Sequence, residues 1–401
     1  MPVVTLRDES KQQGDFYVPR FEIKIAGASL PQIVLRDVLQ VTYNDNVKEL
    51  DSFELTVSNW DAAKREFKYV GSETKGSLET NPLHRIFDPC RHEVELSMGY
   101  SSDLVLMMKG NFTTMEPNFP SSGGPTLNLR ALNVLHKLRT EQFTYAWPNE
   151  RESSIAKSLG TLTDKHGKKL FPLPVEIDAN ALGKEHPIVY VAQNNQYGID
   201  FLLTRARRVG YVVFVKEEER ERGRVVKQRR VYFGPSDANH PGLRAVTFEL
   251  KWGVSLIDFK PTWTTANQIK SVTVRGWNRE TKEPITGTAS LDNPEFKLNR
   301  DLHKLLEQCD AREEHVVDEP IFDPEQARKR AQAILLERSK ELVKASATCV
   351  GLPDLRAGQR VRISGLGVRF NGEYFVTDTT HTISDSGYIT KFNARREDSA
   401  A

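Results

Sequence analysis

Apolar and polar positions alternate most clearly between Leu352 and Arg396. From Gln359 to Ser364, Val361 and Ile363 alternate with Arg360 and Arg362, the period-two pattern of a half-buried strand; Gly365 and Gly367 end it. A β-rich run from Glu373 to Ile383 reaches the turn formers Ser384-Asp385-Ser386-Gly387, and a second alternating run extends from Tyr388 to Ala394. The pattern predicts a strand followed by a hairpin, with Ile383 opposite Tyr388 and Thr379 opposite Phe392. In that register His381 lies opposite Thr390 and reads as a hydrogen-bonded strand residue rather than a base.

An earlier part of the chain repeats this plan. V-E-L-S at Val94 to Ser97 answers V-R-I-S at Val361 to Ser364. K-G-N-F at Lys109 to Phe112 answers N-G-E-Y at Asn371 to Tyr374, which sets Gly110 against Gly372. Leu129 stands after Gly124 as Phe392 stands after Gly387, and L-T-V-S-N-W-D at Leu55 to Asp61 answers V-T-V-R-G-W-N at Val272 to Asn278, which sets Trp60 against Trp277. Ordered anchors of this kind predict two copies of one small β-barrel-like unit. The expected fold is mainly β with α+β character: a loose arm over residues 1–19, a first barrel domain over 20–140, a small α/β domain over 141–262 and a second barrel domain over 263–398.

The middle region changes period. Glu152 to Lys165 carries Ile155, Ala156 and Leu159 at helical spacing with Ser153 as the expected cap. A second helix, from about Tyr197 to Arg208, places Ile199, Leu202, Leu203 and Ala206 on one face and ends at Gly210. Between the strands that follow lies Lys216 to Arg230, with seven basic and four acidic side chains. Two readings stay open for it: a solvated hairpin tip around Gly223, or a partner-contact loop presenting Lys216, Arg220, Arg222, Arg224, Lys227, Arg229 and Arg230. In the second unit, residues 279–322 read as a polar, loop-like interruption. Asp323-Pro324 then opens a helix whose apolar face, Ala327, Ala331, Ile334, Leu335 and Leu342, is expected against the second barrel.

Composition narrows the function classes. With 56 basic and 54 acidic residues the net charge is +2, so the chain as a whole is not built to grip nucleic acid or an anionic membrane. No apolar run is long enough for a membrane helix, and the first residues, M-P-V-V-T-L-R-D-E-S, carry no secretory apolar region. Three dispersed cysteines, Cys90, Cys309 and Cys349, imply no disulfide framework and fit synthesis in a reducing compartment. His84 and Cys90-Arg91-His92 lack the spacing of a zinc site, and Gly365-Leu366-Gly367 leads into a strand-like run, so it offers no helix N-terminus to a phosphate. No nucleophile elbow or Walker loop is present. The expectation is a protein without catalytic residues, metal or cofactor.

Taken together, D-S-F-E-L-T-V-S-N-W-D, V-E-L-S-M-G-Y, Q-N-N-Q-Y-G-I-D-F-L-L-T-R-A-R-R-V-G-Y, S-V-T-V-R-G-W-N and the closing segment resemble the phage late control D proteins. These are baseplate hub proteins of contractile-tail phages and related injection systems, similar to the hub part of the valine-glycine repeat (VgrG) spike proteins of type VI secretion. The resemblance implies a homotrimer whose barrels are tube-protein-like, adapting a six-fold inner tube to a three-fold spike. It implies synthesis in the bacterial cytoplasm and assembly into a baseplate with other components. The spike proteins continue into a long β-helix and this sequence stops at Ala401, so the spike is expected to be a separate protein. The alternative is a tail-associated cell-wall or polysaccharide-degrading enzyme. A carbohydrate-binding module would instead require exposed aromatic platforms.

Overall fold

Period-two alternation becomes a sheet wherever one face can be buried, and here it does so in two sets of six strands. The structure, a computed structural model, describes residues 3–4, 18–100, 103–163, 167, 169, 171, 173–217, 219–221, 224–235, 247–291 and 312–396. The first set is β1 (Pro19–Ile25), β2 (Val38–Asn46), β3 (Ser52–Ser58), β4 (Glu93–Tyr100), β5 (Asp103–Asn118) and β6 (Thr126–Asn133). The middle of the chain gives β7 (Gln142–Glu150), α1 (Glu152–Leu159), β8 (Val175–Ile177), β9 (Ile188–Tyr197), α2 (Gly198–Val209), β10 (Tyr211–Lys216) and β11 (Arg230–Pro235). The second set begins with β12 (Thr247–Lys251) and β13 (Leu256–Trp263). An insertion of β14 (Ile269–Trp277), β15 (Pro284–Ser290), β16 (Arg312–Val316) and α3 (Pro324–Ser339) precedes β17 (Val343–Val350), β18 (Arg360–Ser364), β19 (Gly372–Ser384) and β20 (Gly387–Arg396).

The two sets share one connectivity. Hydrogen bonding runs β2–β3–β6–β5–β4–β1 in the first and β13–β17–β20–β19–β18–β12 in the second. They differ at one edge, where β1 is antiparallel to β4 but β12 is parallel to β18. Among the described residues no pairing closes either set into a complete barrel. Each has its own core: Ile23, Val41, Leu55, Val94, Leu96 and Leu129 in the first, and Phe248, Leu250, Val361, Ile363, Tyr374 and Phe392 in the second. The closing hairpin has the predicted register, with Ile383 opposite Tyr388, Thr379 opposite Phe392 and His381 opposite Thr390.

Three expectations are corrected by this topology. β12 and β13 lie within the stretch assigned to the middle domain, yet they pair only with strands of the second unit, apart from Val3–Val4, which runs parallel along β12. Those two residues are therefore a strand; most of the remaining expected arm lies outside the described residues. β14, expected to open the second unit, belongs to the insertion, where it pairs with β15 and β16 alone. The insertion occupies the place of the short β2–β3 turn of the first unit. Finally, α3 packs on the inserted sheet rather than the second barrel. Its Ala327, Ala331, Ile334 and Leu335 share a core with Val272, Val274, Ile285 and Ala289, and at Gly287 a Cβ would stand 2.2 Å from the backbone N of Arg328. Within 279–322, Pro284–Ser290 and Arg312–Val316 are thus strands rather than loop, and residues 292–311 lie outside the described residues.

The middle domain forms a three-stranded sheet, β8–β11–β10, and a β7–β9 ribbon around α1 and α2. Gly210 ends α2 in the left-handed conformation at φ 72°, as its position predicts. Ser153 is not the cap of α1. The carboxylate of Glu185 takes that place, accepting the Ser153 amide at 2.8 Å and the Ser153 hydroxyl at 2.5 Å. A small core of Val47, Val212, Phe214, Tyr232, Ala357 and Phe375 ties this domain to both units.

Candidate functional site

The two units match down to their irregularities. The β5–β6 register shifts so that Thr113 is an extra residue, and the β19–β20 register shifts so that Thr377 is. Each threonine hydroxyl then donates to the carbonyl across the bulge, Thr113 to Arg130 at 3.3 Å and Thr377 to Asn393 at 3.1 Å. A second shared bulge leaves Leu39 extra on β2 and Ile257 extra on β13, both exposed. An extra residue inserted at the same place in both copies is a designed feature of a strand, not an accident of packing.

Aligned on these bulges, the sequence anchors fall as follows. Leu129 faces Leu55 and Met115, and Phe392 faces Ala347 and Thr379, so those two residues are counterparts. Val94 and Val361 are counterparts as well, facing Gly110 and Tyr374. Gly110 therefore corresponds to Tyr374, not to Gly372, which faces Ile363. The two glycines serve different needs. A Cβ on Gly110 would lie 1.9 Å from the Leu132 carbonyl oxygen, whereas Gly372 adopts a φ of 144°. The tryptophans do not correspond. Trp60 starts a two-residue hairpin strand and meets Phe67 edge-on at 5.4 Å, while Trp277 ends β14 of the insertion with more than half its surface exposed.

The units are joined edge to edge. β2 pairs antiparallel with the outer half of β19, from Asn46 opposite Asp378 to Gln40 opposite Ser384. The inward side chains of this joint, Val41, Tyr43 and Asp45 on β2 and Thr379, His381 and Ile383 on β19, are all buried. His381 is held at 3.0 Å from both the Leu355 carbonyl and the Tyr388 hydroxyl, with Thr390 Oγ1 at 3.1 Å. Burial drives the Tyr388 hydroxyl well above its ordinary pKa, so it stays neutral. Arg356, from the loop before β18, reaches across the joint. It donates to Asp45 Oδ2 at 2.6 Å, to the Met107 carbonyl at 2.9 Å and to the Tyr43 hydroxyl, and its guanidinium lies 4.7 Å from the Tyr43 ring centroid.

By the same correspondence each unit has one half of a second such joint, and both halves are uncovered. The counterpart of β2 is β13, and that of the outer half of β19 is Thr114–Asn118 of β5. Among the described residues no strand pairs with either on that side. On β13, Phe259 and Pro261 are half-buried and Trp263 is 47% exposed; on β5 and just beyond it, Met115 is half-buried, Pro117 exposed and Phe119 53% exposed. Pro261 and Pro117 stand where the joint has Tyr43 and His381. Proline on an edge strand blocks indiscriminate strand addition, so both edges are guarded.

The charged hairpin is partly bound within the chain. Lys216 and Arg230 both pair with Glu176, Lys216 at 3.0 Å. Arg229 donates to the Lys109 carbonyl at 3.4 Å and lies 3.6 Å from Glu93. Glu217 accepts the Lys109 amide, so this peptide of β5 is bracketed just where β6 ends. Three of the seven basic residues that the partner-contact reading would present are thus engaged internally, because the hairpin base crosses an open strand edge. For Arg220, Arg224 and Lys227 the backbone runs in the two-stranded tip Glu219–Glu221 with Arg224–Lys227; Arg222 lies outside the described residues.

The cleft between α2 and α3, about 740 Å³, offers little chemistry. Arg330 and Arg208 both pair with Glu319 at its wall, and Arg205 pairs with Glu152, so these charges are engaged with one another. Cys90 is exposed, and among the described residues no group of three metal-ligating side chains gathers there or elsewhere.

No curated protein matches this sequence. Solved structures share its fold. The 43 kDa tail protein of prophage MuSo2 from Shewanella oneidensis superposes with a TM-score of 0.61 at 12% identity, over 94% of this chain and 98% of that one. A tail protein from Neisseria meningitidis MC58 gives 0.61 at 14% identity, over 95% and 97%. A component of the type VI secretion system of E. coli gives 0.56 at 11% identity, over 94% and 77%. A family model described as the Alg8 N-terminal domain matches residues 16–385, and the chain belongs to that family.

Proposed function

We propose that this chain is a structural hub of a contractile tail or injection particle, of the late control D kind, and acts without catalysis. Three copies would present six like units to a six-fold inner tube on one side and a three-fold seat to a separate spike protein on the other. Other baseplate components would surround them. The observation that carries this reading is the joint between two units of one topology, together with the two uncovered edges that repeat its halves. A joint that relates like units inside a chain, and is half-formed at both free ends, is of the kind that further copies continue. The tail and secretion-system proteins that share the fold support the setting.

The test is the mass of the pure full-length chain by light scattering at assembly concentrations, with and without its spike. The expected result is three times the mass of one chain. A stable monomer under both conditions would overturn the reading, and turnover of peptidoglycan by the pure protein would favour an enzyme instead.

A further inference from the structure

The internal joint does more than pair strands. At its outer end the β19–β20 hairpin tip enters the core of the other unit: Ile383 and Tyr388, which face each other across the turn, are buried among first-unit residues including Val41 and Tyr100. The Tyr100 and Tyr388 rings lie 5.5 Å apart, and the Tyr100 hydroxyl donates to the Gly351 carbonyl at 3.0 Å. The first unit thus supplies a receptor, and the second supplies a plug.

Both elements have counterparts without an occupant. The counterparts of Ile383 and Tyr388 are Phe119 and Pro125, which flank the β5–β6 tip. Phe119 is supported from behind by Phe67, with ring centroids 5.0 Å apart, yet is more than half exposed. On the receptor side, β18 stops at Ser364, so Gly365 and Gly367 stand where the first unit has Met98 and Tyr100. The wall is therefore missing, and what it would cover is apolar. Trp252, whose amide donates to the Ser364 carbonyl at 3.1 Å, is 54% exposed; Val254, Ile257 and Val368 are more exposed still. Large apolar side chains exposed on two adjoining turns, as Trp252, Val254 and Val368 are, are a mark of an interaction surface.

We propose that the tip Phe119–Pro125 of one copy docks on Trp252, Val254 and Val368 of a second copy, as Ile383 and Tyr388 dock within the chain. This rests on the hub reading and names the contact that holds its copies together. The missing proline amides weaken the strand-to-strand part of the contact, so the apolar tip supplies much of the holding force. It also sets direction: each copy offers one plug and one receptor, a head-to-tail contact that builds a ring when the rotation between copies closes, rather than a two-fold dimer.

The register of the internal joint gives the test. Thr382 faces Thr42 there, so Asn118 of one copy should face Lys260 of the next. Both are exposed, which makes Asn118→Cys and Lys260→Cys benign. The two proteins, each carrying one introduced cysteine together with Cys90→Ser and Cys309→Ser and keeping only the buried Cys349, are mixed and mildly oxidised; the expected product is a disulfide-linked pair that neither protein yields alone. In parallel, Trp252→Asp with Val254→Asp should reduce a trimer to a monomer that still unfolds cooperatively. Trimers that lack the cross-link and survive the double substitution would overturn tip docking and leave the hub reading standing. A chain that stays monomeric before any substitution would overturn both.

Discussion

The same six-strand unit is finished in one half of each contact and unfinished in the other. In the first unit, β2 is covered by β19 and its inward face is closed; in the second, β13 carries a matching face that is open. Local sequence does not explain this difference, because both strands alternate and both carry the same bulge, at Leu39 and Ile257. It follows from position in the chain. A unit's neighbour on one side is covalently attached; on the other, under the proposed assembly, it is supplied by another molecule. The halves that meet internally are therefore built for permanence, with Tyr43, His381 and a bridging arginine, whereas the free halves carry prolines that hold them back from unspecific pairing.

The largest expected effect breaks the finished joint. Arg356→Ala should destabilise the fold by about 3–5 kcal/mol, since it leaves the buried Asp45 carboxylate without its charge partner; chemical denaturation measures it. A loss under about 1 kcal/mol would mean that water replaces the guanidinium. The next comparison is direct. Ile383→Ala should cost about 2–4 kcal/mol, as a buried tip residue, while Phe119→Ala at the counterpart position should cost the isolated monomer well under that. Equal costs would contradict the distinction between occupied and unoccupied tips.

A pH prediction concerns Glu217, at the base of the charged hairpin. Burial raises its pKa to about 7 against the pull of Arg229 and Arg356. The folded state therefore binds a proton more tightly than the unfolded chain does. Its contribution to stability is fully present below the ordinary carboxylate range and is lost as pH rises through about 7. Glu217→Gln should remove that loss, leaving the variant about 1–3 kcal/mol more stable than the parent at pH 8 and similar to it near pH 4. A parent whose stability is flat across this window would contradict the assignment. The smallest effect is shared: Thr113→Val and Thr377→Val should each cost about 0.5–1.5 kcal/mol, because each removes the same hydroxyl-to-carbonyl bond across a counterpart bulge.

Much of the second unit was legible in the sequence because its strands are half-buried and alternate cleanly. The closing hairpin register follows from turn chemistry and side-chain size, and the helix begun at Asp323-Pro324 from capping, with Asp323 accepting the Gln326 amide at 2.7 Å. Duplication was legible through Val94 with Val361 and Leu129 with Phe392. The tryptophan match misled, since a Trp at a strand end records a local pattern and not a place in a sheet. The long insertion then concealed that β12 and β13 belong with β17 to β20, because nothing in periodicity tells which distant strand a strand will pair with. The glycine match erred by two residues, as identical residues met different steric needs. A better signal lay nearby in the threonines at 113 and 377, each one residue beyond an apolar position of the duplicated strand. The joint itself could not be read at all: pairing of β2 with β19 depends on edges, which carry no pattern of their own.

The central claim is that Leu256–Trp263 and Thr113–Phe119 are the two halves of one contact between copies. Hydrogen exchange of peptides covering these two segments, followed by mass spectrometry from dilute to concentrated protein, tests it most directly. The account predicts that in dilute monomer the amides of both segments that face away from β17 and β6 exchange rapidly, that their protection rises in both at the same concentration, and that protection of 40–46 and 378–384 stays constant throughout. Exchange that stays rapid in both edges while the protein self-associates, or protection of one edge without the other, would contradict it.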